Sequence, residues 1–140
     1  LLIVTSLALG SVIQITGTAN FLSQSLINFL GESSPLVLLL CFYMLVSITT
    51  NFISNNACAV LFTPIAIDIA EKINVDPKIF AIALIFAVNT SFVTPLAYQT
   101  NLLVMGPGHY KFIDYVKFGL PLTVLCWVVF FITFPLFYEL

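Results

Sequence analysis

Residues 36–70 form two short apolar arms around a polar tip, and few folds accommodate that arrangement. Leu36 to Val46 is intensely apolar but only about three helical turns long, roughly 16 Å. A bilayer core is about 30 Å thick and needs about 20 residues. Ser47, Thr49, Thr50, Asn51, Ser54, Asn55 and Asn56 then cluster, before a second short run from Ala57 to Ala70 that contains Pro64. Two such arms predict a re-entrant helical hairpin. Backbone of this kind survives at membrane depth only where protein or a water-filled cavity surrounds it. Ser47, Thr49 and Thr50 read as bridges between helices, and Pro64 as a kink.

Composition places the hairpin in lipid. The chain is 61% hydrophobic and 7% charged, whereas a soluble domain carries about 25% charged residues. It cannot cover a water-facing surface, so the fold class is an all-α membrane protein and the first partner is the bilayer. A net charge of −2 supplies no basic patch, which argues against nucleic acid. The charged loops carry Lys72 and Lys78, then Lys111 and Lys117, so loop charge does not orient the chain. Cys41, Cys58 and Cys126 sit in apolar runs and read as small buried hydrophobes. Leu1 opens directly into an apolar run with no basic segment before it, which reads as a start inside a longer protein.

Four regions follow. Residues 1–34 hold the end of a membrane helix, Leu1 to Ile15, and a helix from Asn20 to Gly31. In the latter, Phe21, Leu22, Leu26, Phe29 and Leu30 share one face, opposite Ser23, Gln24 and Asn28, a pattern that suits the membrane interface. Residues 35–78 are the hairpin and a loop, where Asp68 and Lys72 are spaced to pair. Residues 79–114 are a broken membrane helix and loop, with Ile79 to Met105 as one crossing unwound near Asn89 to Pro95. Residues 115–140 are a final crossing, Val116 to Tyr138, with Trp127 facing lipid or packing. Thr63-Pro64-Ile65-Ala66 and Thr94-Pro95-Leu96-Ala97 echo one another and suggest two broken elements built alike.

Interrupted hydrophobic segments point to a transporter binding site. A helix break exposes N–H groups that attract anions and C=O groups that attract cations. Ser54, Asn55 and Asn56 stand where the second arm begins, and their hydroxyl and amide groups both donate and accept. They suit an anionic oxygen and a small hard cation together. The break, with Ser91 and Thr94, adds hydroxyls and carbonyls from a second direction. No acid lies near the tip or between Ile79 and Met105. Proton relays in membranes use ionisable groups, whereas neutral oxygens suit Na⁺. No nucleophile–base pair or paired carboxylates suggest an enzyme.

The run Ser54-Asn55-Asn56-Ala57-Cys58-Ala59, followed by Thr63-Pro64-Ile65-Ala66, resembles the Ser-Asn-Thr signature of the divalent anion–sodium symporter family of the ion transporter superfamily. Thr94 to Asn101, continuing through Met105 to Phe112, resembles the broken-helix region of that family's sulfate and dicarboxylate permeases. The resemblance implies two inverted repeats in an elevator-type homodimer of the cell membrane. This chain would be most of the second repeat, partnered by an N-terminal one. It further implies Na⁺ ligation by Ser54, Asn55, Ser91, Thr94, Ala97 and Tyr98, the last two through backbone carbonyls. Substrate contacts would come from Ser54, Asn55, Asn56, Thr100 and Asn101. Asn56 stands where the signature has Thr. Tyr98 and Gln99 replace the small Thr and Pro of dicarboxylate members, which leans the expected substrate toward sulfate. The function expected is therefore sodium-coupled symport of a small divalent anion. The alternatives are a superfamily relative with other coupling, a Na⁺/H⁺ antiporter or arsenite-type permease, and a non-transporting membrane module.

Overall fold

A computed structural model describes residues 15–30 and 34–137, together with residues 8 and 12. The expected helix over Leu1 to Ile15, Gly31 to Ser33 and the last three residues lie outside that set, wholly or mostly. Among the described residues there are six helices and no strand: α1 Thr18–Leu30, α2 Pro35–Thr49, α3 Asn55–Lys72, α4 Pro77–Val88, α5 Gln99–Met105 and α6 Phe112–Phe137. The boundaries follow local chemistry. Pro35 and Pro77 open α2 and α4, where the missing N–H costs nothing. Asp76 caps α4 by accepting from the Lys78 N–H at 2.9 Å. At the end of α3, Asn74 adopts φ 55°, and the Val75 and Asn74 N–H groups reach back to Ala70 and Glu71 at 2.9 and 3.3 Å. This is the left-handed C-terminal motif in which Asn is the usual substitute for Gly.

Contacts fix the course of the chain. Phe42 meets Phe62 edge-on at 6.1 Å, and the Cys58 thiol points at the Val46 carbonyl. Positions rise along α2 as they fall along α3, so these helices form an antiparallel hairpin turned by residues 50–54. Phe42 also meets Phe80 at 5.7 Å, and Thr50 bonds the Val88 carbonyl at 3.0 Å. α4 therefore runs parallel to α2, with the same offset at both contacts. The three helices make an up-down-up unit around Leu39, Phe42, Ile65, Ile69, Phe80 and Ala83, all at most 1% exposed. The start of α2 and the end of α3 lie at one end, and the hairpin tip and the end of α4 at the other.

Both arms are longer than the apolar runs, because each helix continues through polar residues. α3 runs unbroken through buried Pro64. The Thr-Pro echo is thus not a structural one: Pro64 is inside a helix, and Pro95 is inside the break. Among the described residues only Phe112–Leu136 is long and apolar enough to cross a membrane, with mean hydropathy 2.1. It begins a turn earlier than the sequence suggests.

Two helices pack around this unit. α1 docks on α3 with an orientation its apolar face does not foretell. Ser23 is fully buried, while Phe21 is 71% exposed. The reason is polar. Ser23 donates to the Asp68 carboxylate, Lys72 pairs with Asp68 at 2.8 Å, and Lys72 reaches the Asn20 side chain at 2.5 Å. α6 crosses α2, stacking Phe130 on Tyr43 at 3.8 Å. Its outward side chains remain apolar, with Phe118 79% and Leu136 77% exposed, a surface suited to lipid.

Candidate functional site

The hairpin tip and the helix break meet through neutral hydrogen bonds. α4 ends at Val88 and helix resumes at Gln99, so the unwound stretch reaches three residues beyond the expected Asn89 to Pro95. Its backbone needs partners, and the tip supplies them. The Asn51 side chain donates to the Ser47 carbonyl at 2.7 Å and the Thr90 carbonyl at 3.4 Å. Its Oδ1 accepts from the Val93 N–H at 2.8 Å. Thr94 donates its hydroxyl proton to the Asn51 carbonyl. The single Thr50 proton is shared between the Val88 carbonyl and Asn55 Oδ1, each at 3.0 Å.

A second chain of bonds lies one turn deeper. Trp127 Nε1 donates to Ser47 Oγ at 2.7 Å, and Ser47 and Thr90 hydroxyls are 2.6 Å apart. Thr90 gives its own proton to the Ala87 carbonyl at 2.6 Å. Ser47 must therefore be the donor to Thr90, and the chain runs Trp127, Ser47, Thr90, Ala87. α6 reaches this level because Gly119 has no side chain. A Cβ there would stand 2.1 Å from the Phe92 carbonyl oxygen and 2.9 Å from Val93 Cα, both backbone atoms that cannot step aside. Four residues further back, the Tyr115 hydroxyl donates to the Asn101 carbonyl at 2.7 Å.

The predicted residues divide into three groups. Thr94, Ser91 and Asn101 are joined, since Asn101 Nδ2 donates to the Ser91 and Thr94 carbonyls at 3.2 and 3.4 Å. Asn55 joins the same assembly from the hairpin through Thr50. Ser54 caps α3, its Oγ accepting weakly from the Ala57 N–H at 3.4 Å. Asn56, Tyr98 and Thr100 are exposed beside the assembly, and Ala97 is 2% exposed. The Tyr98 carbonyl already accepts from the Asn101 and Leu102 N–H groups, so it has the least capacity left for a cation.

Sequence reasoning left Thr50 and Asn51 out of the site, though both stand in the polar cluster it singled out. It also missed Gly119, which only a close approach makes necessary. Ser47 and Thr50 do bridge helices as expected, whereas Thr49 bonds the Leu45 carbonyl of its own helix.

The electrostatics follow from the register. The N-terminus of α3, partly positive, and the C-terminus of α4, partly negative, face the same region. Thr50 touches both. A cavity of about 270 Å³ on the far side of the break is lined by Phe92, Asn101, Asp114, Tyr115 and Gly119. The Asp114 carboxylate there makes it a poor anion site. Every buried side-chain nitrogen and oxygen among the described residues has a partner.

A sequence profile of the family described as Citrate transporter matches residues 1–139. The chain belongs to the citrate transporter family. An uncharacterized transporter of Synechocystis sp. is 39% identical over 117 residues, covering 84% of this chain and 19% of that protein. An uncharacterized transporter of Escherichia coli is 35% identical over 139 residues, 99% of this chain and 23% of that protein. Sodium/sulfate cotransporter 1 of Chlamydomonas reinhardtii is 26% identical over 130 residues, 92% of this chain and 15% of that protein. The chain thus spans about a fifth of the length of the curated relatives it matches. The family and these relatives are described as transporters. Membership agrees with the resemblance carried by its two motifs, within the ion transporter superfamily.

Proposed function

We propose that this chain forms half of the binding site of a Na⁺-coupled symporter for small divalent oxyanions, with sulfate as the preferred substrate. One observation carries the reading: a helix N-terminus and a helix C-terminus converge on Thr50, with only neutral oxygens and nitrogens around them. An anion is favoured by the first and a cation by the second. Asn55 Oδ1, the Ser91 and Thr94 hydroxyls and the Ala97 carbonyl are the Na⁺ ligands, with Ser54 beside them and the Tyr98 carbonyl, already accepting two N–H groups, contributing least. These are hard neutral donors that bind Na⁺ without changing protonation. Ser54, Asn55 and Asn56 at the start of α3 take the substrate oxygens, and Thr100 and Asn101 complete that side.

The depth of the site supports the same reading. α4 is 12 residues long, or roughly 18 Å, so its end falls well inside a bilayer about 30 Å thick. On this reading the hairpin is re-entrant, returning to the side it came from. A divalent anion at that depth faces a large desolvation cost. Bound Na⁺ offsets part of it, so each ligand strengthens the other by the same factor. The remaining substrate contacts come from an N-terminal repeat related by inversion, and the site moves as part of an elevator-type homodimer in the cell membrane. Relatives named sodium/sulfate cotransporters support both the ion and the substrate class.

The test uses the full-length protein in proteoliposomes at fixed pH. An inward Na⁺ gradient should drive sulfate uptake, and K⁺ with an inward proton gradient should not. Uptake in the second condition alone would overturn Na⁺ coupling and point to a proton-coupled relative. Strong inhibition of sulfate uptake by equimolar succinate or citrate would move the substrate assignment to carboxylates.

A further inference from the structure

We infer that Asn51 is the positioning residue of the cation site, holding Thr94 and the break in register with the hairpin tip. The inference rests on the Na⁺ reading above and adds to it a residue outside the candidate ligands. Asn51 is 5% exposed, and its side chain and carbonyl together make four hydrogen bonds. Three of them cross from the tip to residues 90, 93 and 94. The chemistry requires an amide. One planar group must donate to the Ser47 and Thr90 carbonyls while accepting from the Val93 N–H. A carboxylate cannot donate, a hydroxyl is too short to reach both sides, and Gln would overshoot by a methylene.

The consequence for Thr94 is directional. A hydroxyl serves a cation through its lone pairs, so its proton must point elsewhere. The Asn51 carbonyl takes that proton and leaves the Thr94 oxygen oriented as an acceptor. The Asn51 side chain meanwhile anchors the adjacent Val93 N–H, which prevents the break from drifting away from Asn55. Tip and break are thus a prearranged cage. Partners that orient metal ligands from behind typically change metal affinity by about 10–100-fold when lost.

The experiment compares Asn51→Ala, Asn51→Gln and Trp127→Phe in the full-length reconstituted protein. Two readouts apply: Na⁺ half-saturation of sulfate uptake, and the Na⁺-induced thermal shift of the purified protein. Asn51→Ala should raise Na⁺ half-saturation about tenfold or more, with maximal uptake at saturating Na⁺ little changed. Asn51→Gln keeps a neutral amide displaced by one methylene and should fall between Ala and wild type; if Asn51→Ala does not fold, this variant decides. Trp127→Phe loses a neighbouring bond in the same core without touching residues 93 and 94, so it should lower thermal stability and leave Na⁺ half-saturation alone. Wild-type Na⁺ half-saturation in the Asn51 variants would overturn the inference, as would an equal shift in Trp127→Phe, since Asn51 would then be merely structural. Wild-type protein without Na⁺-dependent uptake or stabilisation would instead bring down the Na⁺ reading itself.

Discussion

The two ends of the helical hairpin are stitched to their neighbours by different chemistry. At the open end, where α2 begins and α3 finishes, the links are charged: Asp68 and Lys72 pair with each other and hold Asn20 and Ser23 of α1. At the tip the links are hydroxyls and amides, through Ser47, Thr50, Asn51, Thr90 and Thr94. The difference matches depth. Asp68 and Lys72 keep 29% and 26% of their side chains exposed, and a charge pair there needs little desolvation. A charge at the tip would need far more, unless a ligand of opposite sign accompanied it. Neutral groups hold the tip together at modest cost.

The comparison is broken most severely by moving a charge to the tip. Ser47→Asp should cost about 3–5 kcal/mol, the penalty of an uncompensated buried charge. Its nearest hydroxyl, Thr90, is committed as donor to Ala87. Loss of a monodisperse peak in detergent chromatography is the expected result, and a normally stable variant would show that water reaches Ser47. Gly119→Ala comes next. It adds one methyl against the Phe92 carbonyl, and overpacking of this kind costs about 1–3 kcal/mol. Thermal unfolding should report the loss, with transport falling because α6 no longer braces the break.

Asn55→Ala sharpens the contrast between holding and binding. Asn55 is half-buried and has one bond from Thr50, so folding should survive. Removing a ligand or leaving Thr50 one acceptor short costs about 1–3 kcal/mol. Apparent Na⁺ affinity should fall by roughly one to two decades, and unchanged uptake at low Na⁺ would remove Asn55 from the site. The smallest effect belongs to the open end. Lys72→Gln keeps a hydrogen-bond donor near Asn20 and removes a partly exposed pair worth about 0.2–1 kcal/mol. A change in melting temperature as large as that of Gly119→Ala would mean that this end, too, is buried in the full protein.

Much of this molecule was legible before any coordinates. The short arms, the polar tip and the Asn89 to Pro95 interruption follow from counting apolar residues against the thickness of a bilayer. Pro35, Pro77 and Asp76 mark helix starts by rules that involve only neighbouring residues. The Ser54-Asn55-Asn56 and Thr94-Pro95 motifs carried a family resemblance that the family match bears out. In each case the signal is local in sequence, so a single chain displays it.

What the sequence could not decide were matters of register and side. Nothing in α1 announces that Ser23 is buried and Phe21 exposed, because the deciding partners, Asp68 and Lys72, lie far along the chain. The echo of Thr63-Pro64 in Thr94-Pro95 looks like a repeat, yet one proline sits in continuous helix because the surrounding hairpin holds it there. Thr50 and Asn51 could be read only as generic polar residues of a helix end. Their specific roles arise when a parallel α2 and α4 bring Val88 and Val93 beside them, and when Gly119 lets α6 close behind. Local composition determined that this chain would fold as interrupted helices in a membrane. The tertiary structure decided which of its polar groups are spent on each other and which keep spare acceptors, because hydrogen bonds pair atoms by position and not by order along the chain.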